Sequence, residues 1–106
     1  MISTHILDTA LGKPAQDVCV KLFSEDGILL ADAVTNSDGR VSDFNIGALA
    51  AGSYSIEFAI QPYFAKLNTE TFFPKAVIYF SVSQPDQHYH IPLLISPYAY
   101  STYRGS

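Results

Sequence analysis

The stretch Ser53-Tyr54-Ser55-Ile56-Glu57-Phe58-Ala59-Ile60 alternates apolar with polar or small side chains without a break. Successive residues of a strand point to opposite faces, so this is the pattern of a strand with one buried face. The same period recurs on both sides of it. Upstream, Val18, Val20 and Leu22 alternate with Cys19, Lys21 and Phe23. Glu25-Asp26-Gly27 follows as a hairpin signal and leads into a strand over residues 28–35. Asn36-Ser37-Asp38-Gly39 is a second turn, which sets Arg40 at the foot of a short fourth strand. A first strand covers residues 3–8, closed by the turn Leu11-Gly12-Lys13-Pro14-Ala15. Gly47 and Gly52 bracket a loop. Downstream, Phe64 and Leu67 stand three apart within residues 62–68, which predicts one or two helical turns. Pro74 opens a strand running to Val82, and Gln84-Pro85-Asp86-Gln87 turns the chain into residues 88–106, read as two final strands. Strands at short, regular spacing with turn signals between them predict an all-β sandwich or barrel.

Composition agrees with one domain over residues 1–106. The chain is 48% apolar, enough for a core, and its 13% aromatic share is all Phe and Tyr, a bias towards strand. Only 15% of residues are charged, low for a monomer's surface, which predicts that other subunits cover part of it. The net charge of −4 argues against a nucleic-acid footprint. No stretch approaches the ~20 apolar residues that span a bilayer. Met1-Ile2-Ser3-Thr4-His5 has neither a basic nor an apolar leader region, so no signal peptide is expected. Cys19 is the one cysteine, which excludes an internal disulfide and suits the reducing cytoplasm.

His88 and His90 are two apart on an expected strand and share a face. His5, from the other end of the chain, could join them as a third metal ligand. No Asp or Glu lies near them in sequence, and strand histidines alone are a weak zinc signal. His88 adjoins a turn and reads as a surface or hydrogen-bonded residue. His90 precedes Ile91-Pro92-Leu93-Leu94, and a titratable ring beside an apolar run suits a pocket. Taken alone, His5 reads as structural, Arg40 as a solvated charge after a turn, and Tyr103-Arg104 as a basic chain end. Asp8 lies on the face opposite His5. No Gly-rich phosphate loop, Cys-x-x-Cys or Gly-x-Ser-x-Gly is present. Cys19 reads as a small packed residue.

Three segments together carry a resemblance. They are Ser3-Thr4-His5-Ile6-Leu7-Asp8-Thr9 with Gly12-Lys13-Pro14-Ala15, then Thr35-Asn36-Ser37-Asp38-Gly39-Arg40, and last His88-Tyr89-His90-Ile91-Pro92-Leu93-Leu94 running to Tyr103-Arg104-Gly105-Ser106. Over essentially its whole length the chain resembles the transthyretin-like family, in its enzyme branch, the 5-hydroxyisourate hydrolases. The closing Tyr-Arg-Gly-Ser is the feature that separates these hydrolases from the hormone carriers.

The resemblance implies a sandwich of two antiparallel sheets with one short helix, assembled as a homotetramer with active sites where dimers meet. It implies a catalytic trio of His5, Arg40 and His90, and a substrate pocket closed by Tyr103, Arg104, Gly105 and Ser106. It also implies hydrolysis of 5-hydroxyisourate to 2-oxo-4-hydroxy-4-carboxy-5-ureidoimidazoline, a step of urate breakdown that needs no metal or organic cofactor. The alternative is a non-catalytic carrier of small aromatic ligands on the same fold. A carrier has no need of two histidines and an arginine in an apolar channel, where unpaired polar groups are costly. A zinc protein using His5, His88 and His90 is a third reading.

Overall fold

The strand predicted from the alternation of Tyr54, Ile56 and Phe58 is β6 (Gly52–Phe58), and it lies inside a sheet. A computed structural model describes residues 1–106 and gives nine further elements. They are β1 (Ile2–Asp8), β2 (Lys13–Pro14), β3 (Cys19–Phe23), β4 (Leu29–Val34), β5 (Arg40–Val41), α1 (Ile60–Lys66), β7 (Ala76–Val82), β8 (Tyr89–Ser96) and β9 (Ala99–Thr102). One sheet runs β4-β3-β6-β7. The other runs β2-β1-β8-β9, with β5 also paired to β1. Alternation decides what lies between them. Val20, Leu22, Ile56 and Phe58 from one sheet meet Ile2, Ile6, Leu93 and Ile95 from the other, all at or below 1% exposure. This is a two-layer β-sandwich with an apolar centre.

Two local expectations change. The alternation through Ile60 does not extend the strand. Ala59 breaks it and Ile60 opens α1, burying Ile60, Tyr63 and Phe64 on one face. Spacings of three and four are the helical period, so Ile60 fits either pattern and packing decides. Pro62 is tolerated because the first turn's N–H groups have no helical partner anyway. Cys19 is exposed rather than packed, because Val18 and Val20 take the inward positions.

The larger correction concerns strand direction. β1 and β8 pair in parallel, from Ile2 opposite Tyr89 to Asp8 opposite Ile95, so one sheet is mixed rather than antiparallel. Parallel neighbours need a long crossover, and here nearly the whole chain lies between them. This pairing sets Ser3 opposite His90 and His5 opposite Pro92. On the other flank of β1, β5 sets Arg40 opposite His5. None of the helices is long and apolar enough to cross a membrane.

Asp8 ties the helix to this sheet. Its carboxylate is fully buried and accepts from the Tyr63 hydroxyl at 2.8 Å and from the Ala10 and Leu11 N–H groups at 3.0 Å. Burial, and then the Asp8 carboxylate, push the Tyr63 phenol above its ordinary range, so it remains a donor. Replacing Asp8 with Ala leaves that donor without a partner in the core. The expected cost is roughly 2–3 kcal/mol, read as a lower urea midpoint. An unchanged midpoint would show that the contact contributes little.

Candidate active site

The outward face of the mixed sheet carries the candidate residues. Ile2, Thr4, Ile6 and Asp8 of β1 turn inward, so Ser3, His5 and Leu7 turn outward by alternation. His90, Pro92 and Leu94 of β8 do the same, since Tyr89, Ile91, Leu93 and Ile95 are core residues.

A tight turn delivers Arg40 to this face. The Asn36 side-chain oxygen accepts from the Asp38 N–H at 2.9 Å and the Arg40 N–H at 3.0 Å. Gly39 has φ +72°, and a Cβ there would lie 2.5 Å from the Ile6 carbonyl oxygen. Both facts require glycine, because the turn must enter the left-handed region while lying against β1. Its own carbonyl accepts from the Ile6 N–H at 2.8 Å. The Arg40 guanidinium has no carboxylate partner, since the single ion pair of the chain joins Lys75 to Glu57. Its charge is therefore available to a ligand.

His90 is held from two sides. Ser3 Oγ lies 2.7 Å from His90 Nδ1 and also 2.7 Å from His88 Nε2. The Gly105 N–H donates to the His90 carbonyl at 2.8 Å, and a Cβ on Gly105 would overlap the His90 ring. Leu93 pairs with Thr102 and His90 with Gly105, so the terminal segment keeps the β8–β9 register. The ladder lapses between them at Pro92, which has no N–H. Thr102 Oγ1 donates to the Pro92 carbonyl at 2.7 Å and spans the gap.

These elements enclose a hollow of about 180 Å³, lined by Ser3, Thr4, Arg40, Ser42, His88, His90 and Ser106, with no apolar residue among them. His5 is not part of that lining. It stands beside the hollow, paired in register with Arg40, and its charge is felt at His90. Tyr103 and Arg104 face a different cavity of about 300 Å³, which they share with Ile78, Tyr79, Phe80 and His90. Arg104 Nη2 donates to Gln87 Oε1 at 3.2 Å, and its guanidinium carbon lies 4.7 Å from the Tyr89 ring centroid. The larger cavity is mostly apolar, whereas the smaller one concentrates donors and a cation. The smaller one therefore holds the groups that stabilise charge on an oxygen.

Electrostatics favours neutral imidazoles here. Burial first, and then the Arg40 charge, hold His90 below the ordinary value of 6.5, with His88 and His5 adding to the effect. The same two leading causes lower His5, while Asp38 partly opposes them. Both rings are therefore unprotonated at neutral pH, the form a general base requires. No three His, Cys, Asp or Glu side chains are grouped to hold a metal ion.

Sequence reasoning missed Ser3 as a site residue. A lone serine on a strand belongs to no motif, and its role emerges only when the β1–β8 register sets it against two histidines.

Comparison with known proteins gives a consistent result. A family model described as "HIUase/Transthyretin family" matches residues 2–105. The 5-hydroxyisourate hydrolase of Caulobacter vibrioides is 46% identical, over 99% of this chain and 97% of that protein. The solved structure of Klebsiella pneumoniae 5-hydroxyisourate hydrolase superposes with a TM-score of 0.92 at 43% identity, covering 99% of this chain and 97% of that one. Sea bream transthyretin, solved in complex with thyroxine, gives a TM-score of 0.88 at 29% identity, covering 98% and 93% of the two chains.

Proposed function

The chain belongs to the HIUase/Transthyretin family, and from that membership we propose that residues 1–106 form one enzymatic domain that hydrolyses 5-hydroxyisourate. The product is 2-oxo-4-hydroxy-4-carboxy-5-ureidoimidazoline. The observation that carries this reading is the polar hollow itself: a free guanidinium and a neutral imidazole line it with no apolar side chain among them. A carrier of apolar aromatic ligands would need the opposite lining.

The product's new carboxyl and ureido groups mark the broken bond as an amide C–N bond of the six-membered ring. Hydrolysis then needs a base for water, a cation for the tetrahedral oxyanion and a proton for the departing nitrogen. The Ser3 contact occupies His90 Nδ1, which leaves Nε2 as the atom that takes the water proton. Arg40 stabilises the oxyanion with its planar pair of donors. His5, next to Arg40 in register, holds the attacking water. His90 Nε2–H then protonates the departing nitrogen as the C–N bond breaks. The remaining water proton is lost to solvent from the new carboxyl group, which ionises well below neutral pH.

The Ser106 hydroxyl, which lines the hollow, hydrogen-bonds the substrate's edge, whereas Tyr103 faces the neighbouring cavity. Gly105 lets the backbone lie against the His90 ring, and Arg104 anchors the terminal segment through Gln87 and Tyr89. The protein acts in the cytoplasm as a homotetramer, in which neighbouring copies cover the outward face that Leu7 and Leu94 share with the hollow. The low charged fraction supports that assembly.

The decisive test forms 5-hydroxyisourate in situ from urate with an oxidase and follows its ultraviolet decay. Decay well above the spontaneous rate is expected, and decay at the spontaneous rate would overturn the reading.

The pH profile follows from the lowered histidines. A base must be neutral, and His5 and His90 are both held below the ordinary imidazole value of 6.5. The midpoint of the acid limb of kcat/KM should therefore lie below pH 6.5. Stability shares the sign. The unfolded rings take up protons near pH 6.5 and the folded ones resist, so their contribution is complete above that value and lost as pH falls. A pH–rate profile whose acid limb lies above pH 6.5 would contradict the assignment.

A further inference from the structure

We propose that Ser3 and His88 form a proton relay behind His90, carrying the positive charge that arises during turnover from the half-buried His90 ring to the exposed His88 ring on the same hollow. The inference rests on the reading of His90 as the general base.

The geometry leaves the Ser3 hydroxyl few options. Ser3 is 4% exposed, so water scarcely competes for it, and its Oγ lies 2.7 Å from one nitrogen of each ring. A hydroxyl has one proton to donate and two lone pairs to accept with. Ser3 can therefore donate to only one ring, and the arrangement in which the other ring donates to it uses its proton on one ring and a lone pair on the other. This couples the two tautomers. When His90 donates from Nδ1, Ser3 donates to His88 Nε2, and His90 Nε2 is an open base. When the chain reverses, His90 Nε2 carries a proton and is an acid.

Turnover uses both states, and the protons balance. Water gives a proton to His90 Nε2 as its oxygen bonds to the ring carbonyl carbon. The His90 Nδ1 proton passes to Ser3 Oγ, and the Ser3 proton passes to His88 Nε2. His90 ends neutral, and His88, also protonated at Nδ1, becomes the imidazolium. When the C–N bond breaks, His90 Nε2–H goes to the departing nitrogen. Ser3 then returns a proton to His90 Nδ1 and recovers one from His88 Nε2. No net proton is gained or lost by the three residues.

Charge explains why such a relay is useful. An imidazolium at His90 would sit partly buried beside Arg40 from β5 and near His5 from β1. His88 is exposed in the single chain and adjoins the turn before β8, so a cation there is less buried than one at His90. Ser3 and His88 line the hollow, but in this scheme they act through His90 as positioning residues.

The test uses the full chain with Ser3→Ala and His88→Ala variants. His88 is exposed, so its removal spares the core. Wild-type turnover of 5-hydroxyisourate is measured first, and its absence would overturn the hydrolase reading rather than the relay. With an active wild type, each variant should lose about tenfold or more in kcat at unchanged KM. The double variant should be no slower than the worse single one, and added imidazole should restore much of the His88→Ala rate. A His88→Ala kcat within about twofold of wild type would overturn the relay.

A second readout is independent of activity. Imidazole nitrogen NMR of the free protein should show His88 and His90 in the same tautomer, both protonated at Nδ1, and Ser3→Ala should shift His90 Nδ1. Rings in different tautomers, or a His90 Nδ1 signal unmoved by Ser3→Ala, would also overturn it.

Discussion

Replacing His90 with Asn should lower kcat/KM for 5-hydroxyisourate by about 10²–10⁴-fold while the fold stays intact. The size follows from what the ring supplies. Its Nε2 is the atom that both takes and returns the proton, and an amide nitrogen does neither at neutral pH. The fold should survive because the ring lies on the outward face of β8, whereas Tyr89 and Ile91 on either side face the core. Asn also keeps a polar group near Ser3, which avoids leaving the serine hydroxyl unpaired. Initial rates corrected for spontaneous decay, with a thermal melt on each sample, check the prediction. A folded His90→Asn enzyme with wild-type turnover would remove His90 from the chemistry.

Arg40→Ala should be nearly as damaging, with kcat down by about 10²–10³-fold. Arg40 is the one cation lining the hollow, and it has no carboxylate partner in the chain. Its removal takes away the groups aimed at the oxyanion, which acts on the transition state more than on the bound substrate. The loss should therefore appear in kcat more than in KM. Arg40→Lys should recover only part of the rate, because a lysine keeps the charge but not the planar fork. The alanine variant has a second signature. Arg40 is the second-largest cause holding both His5 and His90 low. Without it the acid limb of the pH profile should move up towards 6.5. An Arg40→Ala enzyme with an unmoved limb and unchanged kcat would show that the guanidinium serves only the surface.

Much of the sandwich was legible because alternation is local. Tyr54, Ile56 and Phe58 declare a buried face with no knowledge of their neighbours, and Asp26-Gly27 and Asp38-Gly39 mark turns by their own chemistry. The parallel pairing of β1 with β8 was not legible. It joins the two ends of the chain, and no periodicity within seven or eight residues records which distant strand lies alongside. Ile60 failed for a related reason, since one residue fitted both a strand period and a helical face. Lys13–Pro14 read as part of a turn, yet it extends the sheet as β2 because Leu7 and Asp8 offer an edge to pair with.

The site divides along the same line. His5, Arg40 and His90 drew attention through the resemblance, and taken alone two of the three looked structural or solvated. Arg40 beside His5, and Ser3 between His88 and His90, are consequences of register. Gly105 was legible only as part of a terminal motif. Its physical reason, a backbone lying where a Cβ would strike the His90 ring, needs coordinates.

A crystal structure of the assembled protein with urate, a stable planar relative of the substrate, would show whether the polar hollow is the substrate site. Urate should lie in the hollow on the outward face of the mixed sheet, with Arg40 on its oxygens, His90 Nε2 and Ser106 within hydrogen-bond reach, and a neighbouring subunit over that face. Urate seated against Ile78 and Tyr79 in the apolar cavity, with the outward face open to solvent, would contradict it.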